Sequence, residues 1–436
     1  MKITRIMLSA VALAAACNFM YARDTRAEVH ENPLRAAGVY YAYPVDEISP
    51  DYGSPAPEGY TPFYLSHYGR HGSRYLISDK DYSRVMEKLA RAHEAGALSP
   101  RGELLRAQMD TIWEEARGRG GELSPLGNRQ HRGIARRLGT AYPEIFADGA
   151  DMYASSTVIM RCAHSMFAFI EGLKDLYPGL EIPRESGERD MVFLNYHSPE
   201  SGFYSSHEGP YYQDYRRFYD KNTQPGRLMG ELFTDSAYVG RWVDQKALMW
   251  DLYWLAADMQ NMETDIDLMD LFTEDELYGL WQTANFGFFG RNSSYKPAEG
   301  QFTRNAQNLL NNIIDNADSY IAENRHGATL RFGHDGNIIP LTALMKLDGC
   351  HTDIERPEDL ASEYADFHVS PMGSNLQMIF FRNPAKAGTE DEILVRIYLN
   401  EKDAPLPVEP VSLPGTKGIY YRWADLRPYL ATQAGR

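Results

Sequence analysis

A strand-like run, Phe63-Tyr64-Leu65-Ser66-His67, leads directly into Arg70-His71-Gly72-Ser73-Arg74, and helical spacing resumes over residues 79–96. The same order of strand, polar loop and helix occurs twice more. Met152-Tyr153-Ala154-Ser155-Ser156 precedes a helix from about Arg161 to Leu176. Ala328-Thr329-Leu330-Arg331-Phe332 leads through Gly333-His334-Asp335-Gly336-Asn337 into a helix from Gly336 to Lys346. Strands alternating with helices predict an α/β sandwich. In such a sheet the loops at the carboxyl ends of the strands face one crevice, so motifs more than 250 residues apart in the chain can meet there.

The chemistry of those loops is specific. Arginines on both sides of His71 favour its neutral, nucleophilic form, and their guanidinium forks match phosphate oxygens in a way lysine cannot. Gly72 lets the backbone turn tightly and approach a ligand. This combination suits attack by His71 on phosphorus through a covalent phosphohistidine. A departing alkoxide needs a proton, and Asp335 is the candidate acid, with His334 able to hydrogen-bond a phosphoryl oxygen. Arg161, near the start of its helix, can add a third fork beside Arg70 and Arg74.

The formal net charge of the 436 residues is −16, so the global field does not draw nucleic acid or an anionic membrane. Arginines gathered at one site of so acidic a chain require a local explanation, and a small anionic phosphomonoester supplies one. At the N-terminus Lys2 and Arg5 precede an apolar stretch, Ile6 to Cys17, too short to span a bilayer. Residues 1–22 read as a bacterial-type signal peptide cleaved after Ala22, with lipid attachment at Cys17 as the alternative; either route leads to the periplasm or the exterior. Cys162 and Cys350 then remain, open to one disulfide or two buried thiols.

Residues 23–60 read as an irregular lead-in. Helical spacing continues over 100–118, and Ser124 caps a further helix with Pro125 at its first position, running through Leu138. Between about 180 and 325 the pattern becomes mainly helical, with Trp242, Trp250, Trp254 and Trp281 as core candidates. Two β-like runs close the chain, Asn375–Arg382 and Glu392–Asn400. The expected division is an α/β core of residues 23–178 and 326–436 with a helical cap over 179–325.

Four landmarks occur in the order found in the histidine phosphatase superfamily, acid phosphatase and phytase branch. They are the Arg-His-Gly-x-Arg loop, Leu123-Ser124-Pro125-Leu126-Gly127-x-Arg129-Gln130, Arg161 with Ser165 four residues on, and the late His334-Asp335 pair. The chain resembles that family over roughly residues 60–350, and within it is most similar to bacterial relatives of multiple inositol polyphosphate phosphatase. The resemblance implies a central mixed sheet flanked by helices, a phosphoglycerate mutase-like core, with a helical second domain. It also implies His71 as nucleophile, Arg70, Arg74, Arg161 and His334 as phosphate ligands, Asp335 as acid, and no metal or other cofactor. Leu76 stands where many members have proline, and His334-Asp335-Gly336 stands where the inositol polyphosphate group often has His-Ala-Glu.

The resemblance leaves two substrate classes open, inositol polyphosphates or a broad range of sugar phosphates. Inositol hexakisphosphate calls for basic side chains beyond the scissile group, with Lys221, Arg227, Arg241 and Lys246 as candidates. Two other functions compete. His67 and His71 have the spacing of zinc ligands on a helix, but they flank a strand end and a glycine turn, and no His-Glu-x-x-His occurs. A non-catalytic phosphate-binding protein would need the arginines but not His71 and Asp335.

Overall fold

The computed structural model describes residues 23–436, so the expected signal peptide and the lipid-anchor alternative at Cys17 lie outside the described residues. An eight-stranded sheet organises them: β1 (Thr61–Arg70), β2 (Asp151–Ser156), β3 (Arg184–Glu185), β4 (Gly327–Gly333), β5 (Asn375–Arg382), β6 (Ile393–Leu399), β7 (Lys402–Asp403) and β8 (Tyr420–Arg422). The order across the sheet is β3-β2-β4-β1-β5-β6-β7, with β8 also on β6. β1, β2, β3 and β4 run parallel, whereas β5 is antiparallel to β1, β6 to β5, and both β7 and β8 to β6. The fold is therefore α/β with a mixed sheet.

β1 lies at the junction between the parallel and antiparallel parts, and every residue from Pro62 to Arg70 is buried. A strand covered on both faces does not need polar and apolar residues in alternation. Side chains nevertheless alternate between two cores. Leu65, Leu330 and Phe332 face a layer that includes Ile134, Leu138, Met166, Phe169 and Leu173, from the packed helices Pro125–Ala141 and Met160–Lys174. Tyr64 and Tyr68 face the larger core formed with the many helices between Met191 and Ala322.

Registers align the carboxyl ends of three strands, with Arg70 opposite Gly333 and Ser156 opposite Phe332. The helix Pro125–Ala141, packed on the sheet, is fixed by its first turn. Ser124 accepts from the Gly127 N–H with Pro125 at the first position, as its sequence predicts.

The lead-in is more ordered than its composition predicts. Asp24 caps a helix, Thr25–Glu31, and Asn32 starts a 3-10 segment, Pro33–Tyr40. Gly38, inside that segment, has φ 59°, and a Cβ there would lie 2.5 Å from the buried Asp366 carboxylate. That kink settles where Val39 and Tyr40 lie. The C-terminal region likewise holds more than two strands, since β8 is followed by a helix, Trp423–Gln433, packed on the core. Cys162 and Cys350 are separate buried thiols. No helix among the described residues is long and apolar enough to cross a membrane.

Candidate active site

The loop after β1 is held by its backbone before any side chain is considered. The His71 N–H donates to Gly333 O at 3.0 Å, and the His71 carbonyl accepts from Gly373 N–H at 2.9 Å. Gly72 N–H donates to Ser165 Oγ at 3.1 Å. A Cβ on Gly72 would lie 2.6 Å from Gly127 O, backbone that cannot move aside. Gly72→Ala is expected to cost about 3 kcal/mol and most of the activity. Thermal unfolding together with phosphatase assays checks this.

His71 is buried, and its Nδ1 lies 2.9 Å from the carbonyl oxygen of Gly72. A carbonyl can only accept, so Nδ1 carries the proton and Nε2 keeps its lone pair. Burial drives the His71 pKa well below the ordinary value, and Arg70, Arg161, Arg74 and His334 drive it in the same direction. The arginines thus have the effect read from the sequence, but desolvation is the larger cause. A neutral imidazole with a free Nε2 is the form a nucleophile requires.

The guanidinium groups around His71 are held in different ways. Arg70 is fully buried; its Nη1 donates to Val39 O and Ser370 O, and its Nη2 to Asp335 Oδ2 at 2.9 Å. Arg74 donates to Tyr75 O at 2.8 Å and lies over the Tyr40 ring at 4.6 Å. Arg161 is partly exposed. The Nε atoms of all three have no partner in the protein, leaving N–H donors for an anion.

Beneath Arg74 a buried polar network fixes the loop. Ser73 N–H donates to Gln130 Oε1 and Gln130 Nε2 donates to Ser73 Oγ, both at 2.8 Å; Ser73 Oγ donates to Asn261 Oδ1 at 2.7 Å. Asn261 Nδ2 donates to Tyr40 O at 2.9 Å. Asp258, beside it, accepts from the Tyr82 hydroxyl at 3.0 Å, and burial lifts its pKa to about 7 against the pull of Arg74. Of this network only Gln130 was signalled by a sequence motif. Asn261 and Asp258 carry no local pattern that would single them out.

The loop after β4 brings His334 to the same cleft, its ring edge-on to His71 with centroids 5.7 Å apart. Burial and then the Arg161 cation lower its pKa to about 4, against the opposite pull of Asp335. Asp335 also accepts from Gly336 N–H at 2.8 Å. Burial alone would raise the Asp335 pKa, but Arg70, His334, Arg74 and the Gly336 N–H together hold it below the ordinary aspartate value. In the free protein it is a carboxylate paired with Arg70. Delivering a proton therefore requires substrate to change that pairing.

All six expected residues, His71, Asp335, Arg70, Arg74, Arg161 and His334, meet at this cleft. The basic candidates of the helical region are engaged elsewhere. Arg227 pairs with Glu276 and Glu231, Lys246 with Asp220 at 2.6 Å, and Lys221 with Glu358 at 3.8 Å, while Arg241 lies over the Trp242 ring. His67 sits in an aromatic layer, its ring 4.7 Å from that of Phe169 and 5.2 Å from that of Phe332. Among the described residues no cluster of three His, Cys, Asp or Glu is arranged to hold a metal ion.

This arrangement agrees with what the chain is similar to. Residues 69–400 match the model of the histidine phosphatase superfamily (branch 2). Multiple inositol polyphosphate phosphatase 1 of Gallus gallus is 23% identical over 390 residues, covering 86% of this chain and 82% of that protein. The crystal structure of the Bifidobacterium longum multiple inositol polyphosphate phosphatase in complex with phosphate gives a TM-score of 0.74 at 20% identity, covering 92% of this chain and 98% of that one. The phytase of D. castellii gives 0.71 at 18% identity, covering 97% and 90%. With the match running from the end of β1 past the end of β6, the chain belongs to branch 2 of the histidine phosphatase superfamily and is a phosphoric monoester hydrolase.

Proposed function

We propose that the protein is a periplasmic or secreted phosphatase that acts through a phosphohistidine at His71, with inositol polyphosphates as its substrates. The observation that carries the reading is the commitment of His71 Nδ1 to Gly72 O, which leaves Nε2 unprotonated among three guanidinium groups. Nε2 attacks phosphorus in line as the bond to the leaving alcohol breaks, and Asp335 gives that oxygen its proton. Water then attacks the phosphohistidine, losing its proton to Asp335, and inorganic phosphate departs. Arg70, Arg74, Arg161 and His334 hold the equatorial oxygens, where such donors contribute most. The named substrates of the relatives, together with the family match, support inositol polyphosphates. Residues 1–22 are read as the export signal, 23–178 with 326–436 as the core, and 179–325 as the cap.

The acid step sets the pH dependence. Asp335 must be protonated, and its pKa lies below the ordinary value in the free protein. A phosphate group brought beside it opposes the Arg70 field and raises that pKa. Substrate monoanion, populated below a pKa of about 6, also carries a proton into the site. Activity is therefore expected to rise as pH falls from neutral into the acidic range. Asp335→Asn is expected to lower kcat by about 100-fold or more on alkyl phosphates and much less on aryl phosphates with good leaving groups. Equal losses on both would remove Asp335 as the leaving-group acid.

A broad sugar-phosphate specificity is the second reading, and two observations favour it. Lys221, Arg227 and Lys246 of the helical region are paired with carboxylates, and Val158, Ile159 and Met160, just before Arg161, are exposed apolar side chains. The test is phosphate release from inositol hexakisphosphate and from glucose 1-phosphate, with chelator, from pH 3 to 8. Strong preference for the inositol substrate supports the first reading, and comparable rates support the second. No release from either by folded protein rejects both.

A further inference from the structure

His334 is held by residues that the sequence motifs do not include. Its backbone N–H donates to the hydroxyl of Tyr68 at 3.2 Å, and its Nε2 lies 3.1 Å from Thr157 Oγ1. Cys162 packs against the ring, its Sγ 3.6 Å from Nε2 and 3.8 Å from Nδ1, with the thiol donating to Gly333 O at 3.2 Å. Thr157 is fully buried at the end of β2. Its N–H donates to Phe332 O at 3.0 Å, and its carbonyl accepts from the hydroxyls of Ser156 at 3.0 Å and Ser186 at 2.9 Å. Three backbone contacts therefore aim the Thr157 hydroxyl at Nε2.

A neutral imidazole has one N–H, and its position decides whether the free nitrogen attracts or repels a phosphoryl oxygen. With Nε2 turned to Thr157, Nδ1 is the nitrogen left for the anion. If Nε2 held the proton, Nδ1 would offer a lone pair to negatively charged oxygens. An imidazole nitrogen is also a better acceptor for the Thr157 hydroxyl than a sulfur whose S–H is already directed elsewhere.

We infer that Thr157 is a positioning residue that sets the tautomer of His334, donating its O–H to Nε2 so that Nδ1–H faces the phosphoryl oxygen. The inference rests on the reading of His334 as a phosphate ligand. It gives the two histidines of the cleft different tasks: His71, whose Nδ1–H is held by the Gly72 carbonyl, keeps a lone pair for attack at Nε2. His334, whose Nε2 accepts from the Thr157 hydroxyl, keeps its proton on Nδ1 and becomes a donor. The groups acting on His334 are Arg161 from its helix, Arg70 and Arg74 from the loop after β1, His71 opposite, Cys162 against the ring and Asp335 next in sequence. Arg161, Arg70 and Arg74 favour the neutral ring, and Asp335 opposes them.

The test combines spectroscopy with kinetics. In the full protein labelled with 15N-histidine and saturated with inorganic phosphate, the His334 nitrogens, assigned by their loss in His334→Ala, should show the Nδ1–H pattern. Thr157→Val should turn the ring over to the Nε2–H tautomer, leaving a competent fraction of about a tenth or less, and so lower kcat/KM by about 10- to 100-fold near neutral pH. The loss should shrink towards pH 4, where a second ring proton makes the tautomer irrelevant. Thr157→Ser, which keeps the hydroxyl, should restore activity, and Thr157→Val should add nothing to His334→Ala. An Nε2–H pattern in the wild type overturns the proposal, even if the valine variant fails to fold. So does a valine loss equal at every pH, or one undiminished in His334→Ala. Unchanged turnover in His334→Ala instead rejects His334 as a phosphate ligand, and the positioning role falls with it.

Discussion

His71→Ala is expected to lower kcat by about 10⁴-fold or more on every phosphomonoester, leaving the fold intact. The side chain makes one hydrogen bond, to the carbonyl of its neighbour Gly72. The loop itself stays anchored through the backbone bonds of residue 71 to Gly333 and Gly373. Circular dichroism and melting temperature should match the wild type. A residual rate within about 100-fold of wild type would mean that another group carries the nucleophilic role.

Arg70→Ala should combine the largest stability loss with a severe loss of activity. Removing a fully buried cation leaves Val39 O, Ser370 O and the Asp335 carboxylate without their partner, a deletion that costs about 3–5 kcal/mol. Arg70→Lys keeps the charge but cannot supply the same fork, so it should recover more stability than activity. The pH profile separates the effects. Arg70 lowers the Asp335 pKa and burial raises it, so without Arg70 the carboxyl stays protonated to higher pH and the falling limb of activity moves upward. A paired Asp335 also contributes stability above its unfolded pKa that disappears as pH falls through the folded one. Arg70→Ala should lose that increment, narrowing its stability gap to wild type in acid. Urea unfolding and kcat/KM measured across pH 3–8 check both statements.

The loops of the candidate site are legible because each signal is local. A strand followed within a few residues by Arg-His-Gly, or by His-Asp, states both the position at a sheet end and the chemistry. The parallel register then brings Arg70 and Gly333 together. The supports of the site are not legible, because they act through atoms that every residue has. Arg70 binds the carbonyls of Val39 and Ser370, and no side-chain identity announces a carbonyl. Tyr40, stacked against Arg74, sits in a lead-in whose composition conceals its Asp24 and Asn32 caps. The sequence also conceals the cost of Asp335: an aspartate beside a histidine at a strand end reads as a proton donor until its 2.9 Å pairing with Arg70 shows a resting carboxylate. The partners of the basic candidates are concealed in the same way, since Arg227 and Lys246 meet carboxylates brought near by folding.

The covalent intermediate is trapped most directly by rapid alkaline quench of the enzyme turning over a 32P-labelled phosphomonoester, followed by peptide mapping. Alkali preserves phosphohistidine and removes ordinary phosphoserine. Label is expected on the peptide containing His71, formed within one turnover, absent in His71→Ala and accumulating in Asp335→Asn with a good leaving group. Turnover by the wild type with no label on that peptide, or label on a residue other than His71, would contradict a phosphohistidine at His71.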